Sequence, residues 1–261
     1  HLESLILGLI EGITEFLPVS STGHLLIAGH FLSPRSDVFN VFIQTGAVLA
    51  VLIVFTQKAR DLVLGWKKPE HFDYLLKLAV CFGITGLGGI ILKKAFHFEL
   101  PTEMKPVAWA TFLGGVAILI IEALVRKRKL TDDLTWTVVV VIALGQLIAA
   151  VFPGASRSGT TILLALMFGL SRPKATEFSF LVGIPTLLAA GGLELFAAIR
   201  QDELHSRAAV DLGIGFVAAA VSAFIVVRWL LRFIQTHTFV IFGWYRILAG
   251  AVLLWMAYSG V

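Results

Sequence analysis

The chain has 261 residues, of which 57% are hydrophobic and 15% are charged, and its formal net charge is +4. Soluble domains contain about 25% charged residues. Several uncharged windows approach or reach the ~20 residues that a membrane-spanning helix needs, namely 38–57, 134–156, 178–193, 212–227 and 247–261. This composition excludes a soluble α/β protein and indicates an integral membrane protein. The small positive charge belongs to the loops and gives no indication of nucleic-acid binding.

In chain order, the apolar segments predict an all-α fold with two interruptions. Residues 2–32 are apolar but broken at Pro18, and residues 134–170 are apolar but broken at Pro153-Gly154. Because proline and glycine interrupt helices, each segment should divide into two short halves, which are typical of broken or re-entrant helices. Six uninterrupted spans are expected at about 38–57, 72–92, 106–125, 174–199, 209–231 and 239–258.

The two interruptions resemble each other in sequence. Residues 16–23 (FLPVSSTG) align with residues 151–159 (VFPGASRSG), with one additional residue in the second copy. Three spans separate the copies, and an odd number requires the copies to have opposite orientations. We therefore expect one membrane domain made of two inverted-topology repeats, about 1–130 and 131–261, with six transmembrane helices and two re-entrant helix pairs.

The distribution of basic residues predicts the orientation in the membrane. Twelve Lys and Arg residues fall on one side of the predicted spans: Lys58, Arg60, Lys67, Lys68, Arg126, Lys127, Arg128, Lys129, Arg172, Lys174, Arg228 and Arg232. Six fall on the other side: Arg35, Lys93, Lys94, Lys105, Arg200 and Arg207. Since cytoplasmic loops carry the excess of positive charge, the first side should be cytoplasmic. Both termini and the mouth of the first interrupted segment would then face outward.

Residues 11–24 (EGITEFLPVSSTGH) combine two carboxylates, three hydroxyls and an imidazole between apolar stretches. Ionisable groups at membrane depth cost roughly 2.5–3.5 kcal/mol each, so they normally mark a functional site. Glu11 and Glu15 are four residues apart and would share one helix face. Two such carboxylates repel each other unless a cation or a proton lies between them. Their oxygen ligands suit Mg²⁺ or Ca²⁺, and a single shared proton is the alternative.

Three hydroxyl residues, Ser20, Ser21 and Thr22, lie where the second half-helix of this segment should begin. One of them is expected to cap that helix, as Ser and Thr commonly do. A second hydroxyl could act as a nucleophile, because His24 follows closely and could accept its proton. The alternative is that His24 makes only a structural hydrogen bond.

Residues 153–161 (PGASRSGTT) form a second polar cluster, in which Arg157 lies in a long uncharged stretch. Its guanidinium stays charged and therefore needs an anion, either a ligand phosphate or a permanent carboxylate partner such as Glu11 or Glu15. The small residues around it would let backbone N–H groups and a helix N-terminus approach a phosphate. The other polar residues of the spans, among them Gln44 and Glu122, are expected to form interhelical hydrogen bonds. We expect Arg246 to snorkel or to pair with a carboxylate.

These two motifs closely resemble those of the bacterial undecaprenyl-diphosphate phosphatases of the bacitracin-resistance type. The resemblance implies removal of the terminal phosphate from the C55 isoprenoid diphosphate, which recycles the carrier lipid for cell-wall synthesis. It also implies a divalent cation held by Glu11 and Glu15, and catalysis by Ser21, His24, Glu15 and Arg157. The residues expected to bind the diphosphate are Ser20, Thr22, Gly154, Ser156, Arg157, Ser158 and Thr161.

The resemblance places the protein in the bacterial inner membrane as a multi-pass protein with its site facing the periplasm. The expected partners are a polyprenyl diphosphate lipid and the bilayer, without nucleic acid, and a homodimer is left open. The rival hypothesis is a transporter that flips undecaprenyl phosphate, because inverted repeats with broken helices are also transporter architecture. A transporter would need Arg157 and the helix ends but no nucleophile. A purely structural membrane protein would leave the buried Glu, His and Arg residues unexplained.

Overall fold

The computed structural model describes residues 1–32, 36–95, 103–200 and 206–259. Arg35 of the charge comparison lies outside these residues. Eleven helices occur in the described part of the chain: α1 (Leu2–Thr14), α2 (Ser21–Phe31), α3 (Asp37–Val54), α4 (Thr56–Leu64), α5 (Pro69–Ala95), α6 (Met104–Val125), α7 (Trp136–Val151), α8 (Arg157–Met167), α9 (Arg172–Arg200), α10 (Ser206–Phe233) and α11 (Val240–Ser259). The expectation of an all-α protein is confirmed.

Within the described residues, five helices are long and apolar enough to cross a membrane: α5, α6, α9, α10 and α11. They coincide with five of the six predicted spans, and their number fits a multi-pass membrane protein. The predicted span at 38–57 differs, because α3 ends at Val54 and α4 continues at an angle of 66°. The hydroxyl of Thr56 donates to the carbonyls of Leu52 (2.8 Å) and Ile53 (2.9 Å), and such bonds to preceding carbonyls favour a bend. Counted as one span, this bent pair makes six.

Both interrupted segments are pairs of short helices, as predicted. The α1–α2 pair breaks around Pro18 and the α7–α8 pair breaks at Pro153-Gly154, and none of the four helices exceeds 16 residues. Ser20 (φ 72°) and Ser156 (φ 68°) are the non-glycine residues with positive φ in the described chain. Each precedes a half-helix and caps it. We call residues 15–20 the first turn and residues 152–156 the second turn.

Close helix packing brings the two turns into the centre of the protein. The α1 helix packs on α10 and α7 packs on α5, while α6 packs along α11 and α3 lies against both α9 and α10. Small residues allow this approach, since a Cβ at Gly8 would lie 2.3 Å from the carbonyl oxygen of Gly215. The half-helix α2 contacts α6 and α11, and α8 contacts α6 and α9. The long helices therefore surround the half-helices and hold their N-terminal ends together.

Candidate functional site

The two sequence motifs, residues 11–24 and 153–161, touch, although more than 100 residues separate them in the sequence. The Ser158 hydroxyl donates to the carbonyl oxygens of Leu17 (3.0 Å) and Glu15 (3.4 Å). On the other side, the Thr111 hydroxyl lies 3.4 Å from both the Ser20 hydroxyl and the carbonyl oxygen of Gly154. The two sequence motifs thus form one polar centre.

Glu15 is the hub of this centre. Its carboxylate is buried, and the oxygen Oε2 accepts hydrogen bonds from the Ser21 hydroxyl (2.8 Å) and from the Gln44 amide (3.2 Å). The oxygen Oε1 pairs with the guanidinium nitrogen Nη2 of Arg157 at 3.3 Å. Three donors, from Ser21, Gln44 and Arg157, are thus directed at this one carboxylate. Glu15 therefore connects the candidate nucleophile of the first motif to the cation of the second.

Several groups hold the guanidinium of Arg157 beside Glu15. The ring of Phe16 lies under it, with 5.6 Å between its Cζ and the ring centre. Nη1 donates to the carbonyl oxygen of Ser179 at 3.3 Å, and Gly183 leaves the space that the guanidinium fills. The side chain is 12% exposed, and its buried Nε has no partner among the described residues. The carboxylate of Glu15 thus balances part of the positive charge of Arg157, and the Nε–H group of Arg157 can donate to a further acceptor.

Glu11 lies one helical turn before Glu15, as the spacing predicted. The Glu15 N–H donates to the Glu11 carbonyl oxygen at 2.8 Å, so the helical geometry continues through the motif. The Glu11 side chain is 1% exposed, and both carboxylate oxygens lack a hydrogen-bond partner among the described residues. Within that part of the chain, no three His, Cys, Asp or Glu side chains form a metal-binding group. The pair therefore offers at most two protein carboxylates to a cation.

His24 lies near the start of α2 and, among the described residues, its ring bonds to groups other than the Ser21 hydroxyl. Its Nδ1 lies 2.7 Å from the carbonyl oxygen of Ser20, and its Nε2 lies 2.7 Å from the Tyr245 hydroxyl. A carbonyl oxygen can only accept, so Nδ1 donates to Ser20, and Nε2 is bonded to the Tyr245 hydroxyl. In this arrangement the Ser21 hydroxyl donates its hydrogen bond to Glu15. A proton-transfer role for His24 remains a prediction.

The remaining predicted residues surround the contact between the turns. The hydroxyls of Ser20 and Ser156 cap their helices by accepting from the N–H groups of Gly23 (3.3 Å) and Gly159 (3.2 Å). Thr161 bonds within α8 and to the Ser179 hydroxyl (2.5 Å). Thr22 is exposed at the start of α2. These hydroxyls thus shape the centre, and their binding of a diphosphate remains a prediction.

The backbone conformation and the close packing at position 154, in the second turn, require glycine. Its φ of +96° is a conformation that glycine adopts freely, and a Cβ there would lie 2.5 Å from the carbonyl oxygen of Val107 on α6. Because that neighbour is backbone, a larger residue would separate the second turn from α6.

The structure adds three residues that the motifs did not identify: Gln44, Tyr245 and Arg246. Gln44 was expected to make an ordinary interhelical hydrogen bond, but its partner is the central carboxylate of Glu15. The expectation that Arg246 snorkels or pairs with a carboxylate was wrong. Its side chain is completely buried, and all of its hydrogen bonds go to backbone carbonyls of the two turns and of α6.

Comparison with known proteins gives consistent results over the whole chain. Residues 4–252 match the family described as "Bacitracin resistance protein BacA". A protein of Rhizobium leguminosarum bv. trifolii is 46% identical over 262 residues, which cover 100% of this chain and 98% of the relative. One of Xylella fastidiosa is 48% identical over 252 residues, covering 96% of both. One of Xanthomonas oryzae pv. oryzae is 44% identical over 257 residues, covering 98% and 97%. All three are named undecaprenyl-diphosphatase.

Proposed function

The chain belongs to the bacitracin resistance protein BacA family, and we propose that it is a membrane phosphatase that hydrolyses undecaprenyl diphosphate to undecaprenyl phosphate and inorganic phosphate. The names of its full-length relatives support this activity. The observation that carries the proposal is the chain of contacts from the Ser21 hydroxyl through Glu15 to Arg157. It combines a hydroxyl nucleophile, a proton acceptor and a phosphate-binding cation in one buried centre.

In the proposed reaction, the Ser21 oxygen attacks the terminal phosphorus and its proton passes to Oε2 of Glu15, the acceptor that it already contacts. The bond between this phosphorus and the bridging oxygen breaks, and undecaprenyl phosphate leaves with the electron pair. Water then attacks the phosphorus of the phosphoserine, the bond from phosphorus to the Ser21 oxygen breaks, and inorganic phosphate is released. The Ser21 oxygen takes the proton back from Glu15, which restores the hydroxyl and the carboxylate. A nucleophile and a base in direct contact are the arrangement that such covalent catalysis requires.

Arg157 and the N-terminal ends of α2 and α8 supply the positive groups that the diphosphate needs. Phosphoryl transfer depends mainly on positioning and on stabilising the charge of the transferring group. A phosphate that approaches Arg157 would compete with Glu15 for the guanidinium and occupy its unpartnered Nε. The N–H groups at the starts of the two half-helices would bind further phosphate oxygens. Ser20, Thr22, Gly154, Ser156, Ser158 and Thr161 would shape this cradle.

A divalent cation, Mg²⁺ or Ca²⁺, fits the carboxylate pair of Glu11 and Glu15. The observation that supports it is the Glu11 carboxylate, which is buried with neither oxygen bonded among the described residues. Mg²⁺ is usually held by one or two carboxylates together with substrate phosphates and water, so the small number of protein ligands is compatible. When bound, such a cation would neutralise charge on the diphosphate. The alternative explanation of the buried Glu11 carboxylate is that Glu11 and Glu15 share a proton.

The proposed architecture consists of six spans and two re-entrant pairs in an inverted repeat, about 1–130 and 131–261. The similar capping geometry of Ser20 and Ser156 supports it. The helix contacts also occur in matched pairs: α1 packs on α10 as α7 packs on α5, and α3 packs on α10 as α9 packs on α5. The excess of basic residues supports an inner-membrane orientation with the site facing the periplasm. A homodimer remains open.

The test is release of phosphate from undecaprenyl diphosphate by purified protein in detergent, with and without a chelator. We expect the wild-type protein to turn over and Ser21→Ala to release no phosphate even in a single turnover. Ser171→Ala is a matched control, because this hydroxyl bonds to Asp132 in the loop region away from the centre. Phosphate release by Ser21→Ala would refute the nucleophile. A wild-type protein that moves undecaprenyl phosphate without hydrolysis would favour the transporter.

A further inference from the structure

Arg246, on α11, uses its entire hydrogen-bonding capacity on the backbone of the candidate site. A guanidinium has five N–H donors, and here each has an acceptor within 3.5 Å: Nε donates to Thr111 O (3.2 Å), Nη1 to Pro18 O (3.5 Å) and Ala155 O (3.0 Å), and Nη2 to Ala110 O (3.2 Å) and Gly154 O (2.9 Å). The acceptors belong to the first turn, the second turn and α6. One side chain thus joins the three segments that meet at the centre.

None of the described residues provides a carboxylate partner for Arg246, and its side chain is 0% exposed. A charged side chain buried at membrane depth is costly and is normally retained for a function. Carbonyl oxygens satisfy its hydrogen bonds without neutralising its charge. Arg246 therefore leaves a net positive charge directly behind the two turns, in addition to that of Arg157.

The carbonyl contacts also determine where the backbone N–H groups of the second turn point. In a trans peptide the C=O and the following N–H point in opposite directions. Because Arg246 binds the carbonyl oxygen of Ala155, the N–H of Ser156 points away from Arg246, at the N-terminal end of α8. The contact with the Pro18 carbonyl oxygen fixes the peptide between Pro18 and Val19, whose N–H donates to the carbonyl oxygen of Leu17 at 2.8 Å.

We propose that Arg246 is a positioning residue that fixes the position of the two turns relative to each other. The N-terminal ends of α2 and α8 and the nucleophile Ser21 can then bind and attack the same phosphate. This inference rests on the proposed phosphatase function. Lysine cannot replace the guanidinium in this role, because an ammonium group has three donors and no planar fork. A lysine at position 246 would keep the positive charge but would lose the hydrogen bonds that connect the two turns and α6.

Two substitutions test the connection in different ways. Arg246→Lys keeps the charge but removes the five-bond arrangement. Gly114→Ala keeps Arg246 but displaces it, because a Cβ at Gly114 would lie 2.0 Å from Nη2 and 2.5 Å from Cζ. Gly86→Ala is the matched control, since a Cβ there has no neighbour within 4 Å. All are compared with the wild type by the kcat and KM of phosphate release from undecaprenyl diphosphate and by the melting temperature.

We expect the kcat of Arg246→Lys and of Gly114→Ala to fall by about 10²-fold or more, as when preorganised groups of a transition-state site are lost. KM should change by less than about threefold, and Gly86→Ala should match the wild type. A folded Gly114→Ala or Arg246→Lys protein with near wild-type kcat would overturn the inference. So would a loss of activity in Gly114→Ala that only follows a loss of folded protein. If Arg246→Lys does not fold, the kcat of Gly114→Ala alone tests the inference.

The control reactions separate this inference from the proposed function. Absence of phosphate release from both the wild type and Gly86→Ala would reject the phosphatase. The positioning role would then be tested by the rise in melting temperature that inorganic phosphate causes. We expect this rise in the wild type and its loss in Gly114→Ala. An equal rise in both proteins would overturn the positioning role, whatever the protein catalyses.

Discussion

Gly183 on α9 determines where the guanidinium of Arg157 can lie, and adding one methyl group there should disable the site without unfolding the protein. A Cβ at Gly183 would lie 2.2 Å from Nη1 and 2.8 Å from Cζ of Arg157. Ordinary van der Waals contacts begin near 3.4 Å. In Gly183→Ala the guanidinium must therefore move by about 1.2 Å, which is the difference between these two distances.

A shift of this size removes the two contacts that orient Arg157. Its bonds to Glu15 Oε1 and to Ser179 O are both 3.3 Å long, so a further increase exceeds hydrogen-bond distance. Displacement of a catalytic group by about 1 Å can reduce the rate about 10²-fold. This corresponds to about 2.7 kcal/mol of transition-state stabilisation. The fold should persist, because the atoms that must move belong to the end of a long side chain.

The assay is the kcat/KM of phosphate release for the wild type, Gly183→Ala and Gly192→Ala, together with their melting temperatures. Gly192 lies on the same helix, and a Cβ there has no neighbour within 4 Å, so its variant controls for the helix itself. We expect a loss of about 10²-fold in Gly183→Ala alone, with a small change in melting temperature. A folded Gly183→Ala protein with activity within about threefold of the wild type would refute the role assigned to the position of Arg157.

Three further predictions concern the charged and hydrogen-bonded groups of the centre. Arg157→Lys should lose nearly as much activity as Arg157→Ala, because an ammonium cannot reproduce the planar fork, and substantial kcat/KM in the Lys variant would contradict this. Glu11→Gln and Glu15→Gln should each raise the divalent-cation concentration needed for half activity. If the rate at saturating cation falls while that concentration stays unchanged, the carboxylates have an acid–base or structural role instead. Tyr245→Phe should lower stability by about 1 kcal/mol, measured by chemical denaturation, because it removes one hydrogen bond to His24. Its kcat should stay within about threefold of the wild type, and a much larger loss would assign proton transfer to His24.

The broken helices could be predicted because their causes are local. Pro18 and Pro153 interrupt apolar segments, and each is followed within three residues by a serine that caps the next helix. The bend at Phe55 was not predictable in this way, because residues 38–57 are uniformly apolar apart from a few amide and hydroxyl groups. Only the three-dimensional contacts of Thr56 with the preceding carbonyls indicate it.

The connection through Arg246 could not be predicted because its partners are distant backbone atoms. Backbone carbonyls carry no sequence signature, and those of Pro18 and Gly154 lie 228 and 92 residues away. The available signal was indirect: the pair Gly114-Gly115 on α6, which the structure shows to be the space that the guanidinium occupies. A lone arginine in one span and paired glycines in another could have suggested a buried cation between them, but not its acceptors.

The two turns also explain how similar segments provide different chemistry. Each has a serine with positive φ whose hydroxyl caps a half-helix, and each directs a helix N-terminus toward the centre. The residue that follows the capping serine differs: it is Ser21 at the start of α2 and Arg157 at the start of α8. The first segment therefore carries the proposed nucleophile and the second a fixed cation, and Glu15 bonds to both. Neither segment contains both groups, so the proposed phosphate chemistry requires the two segments in contact.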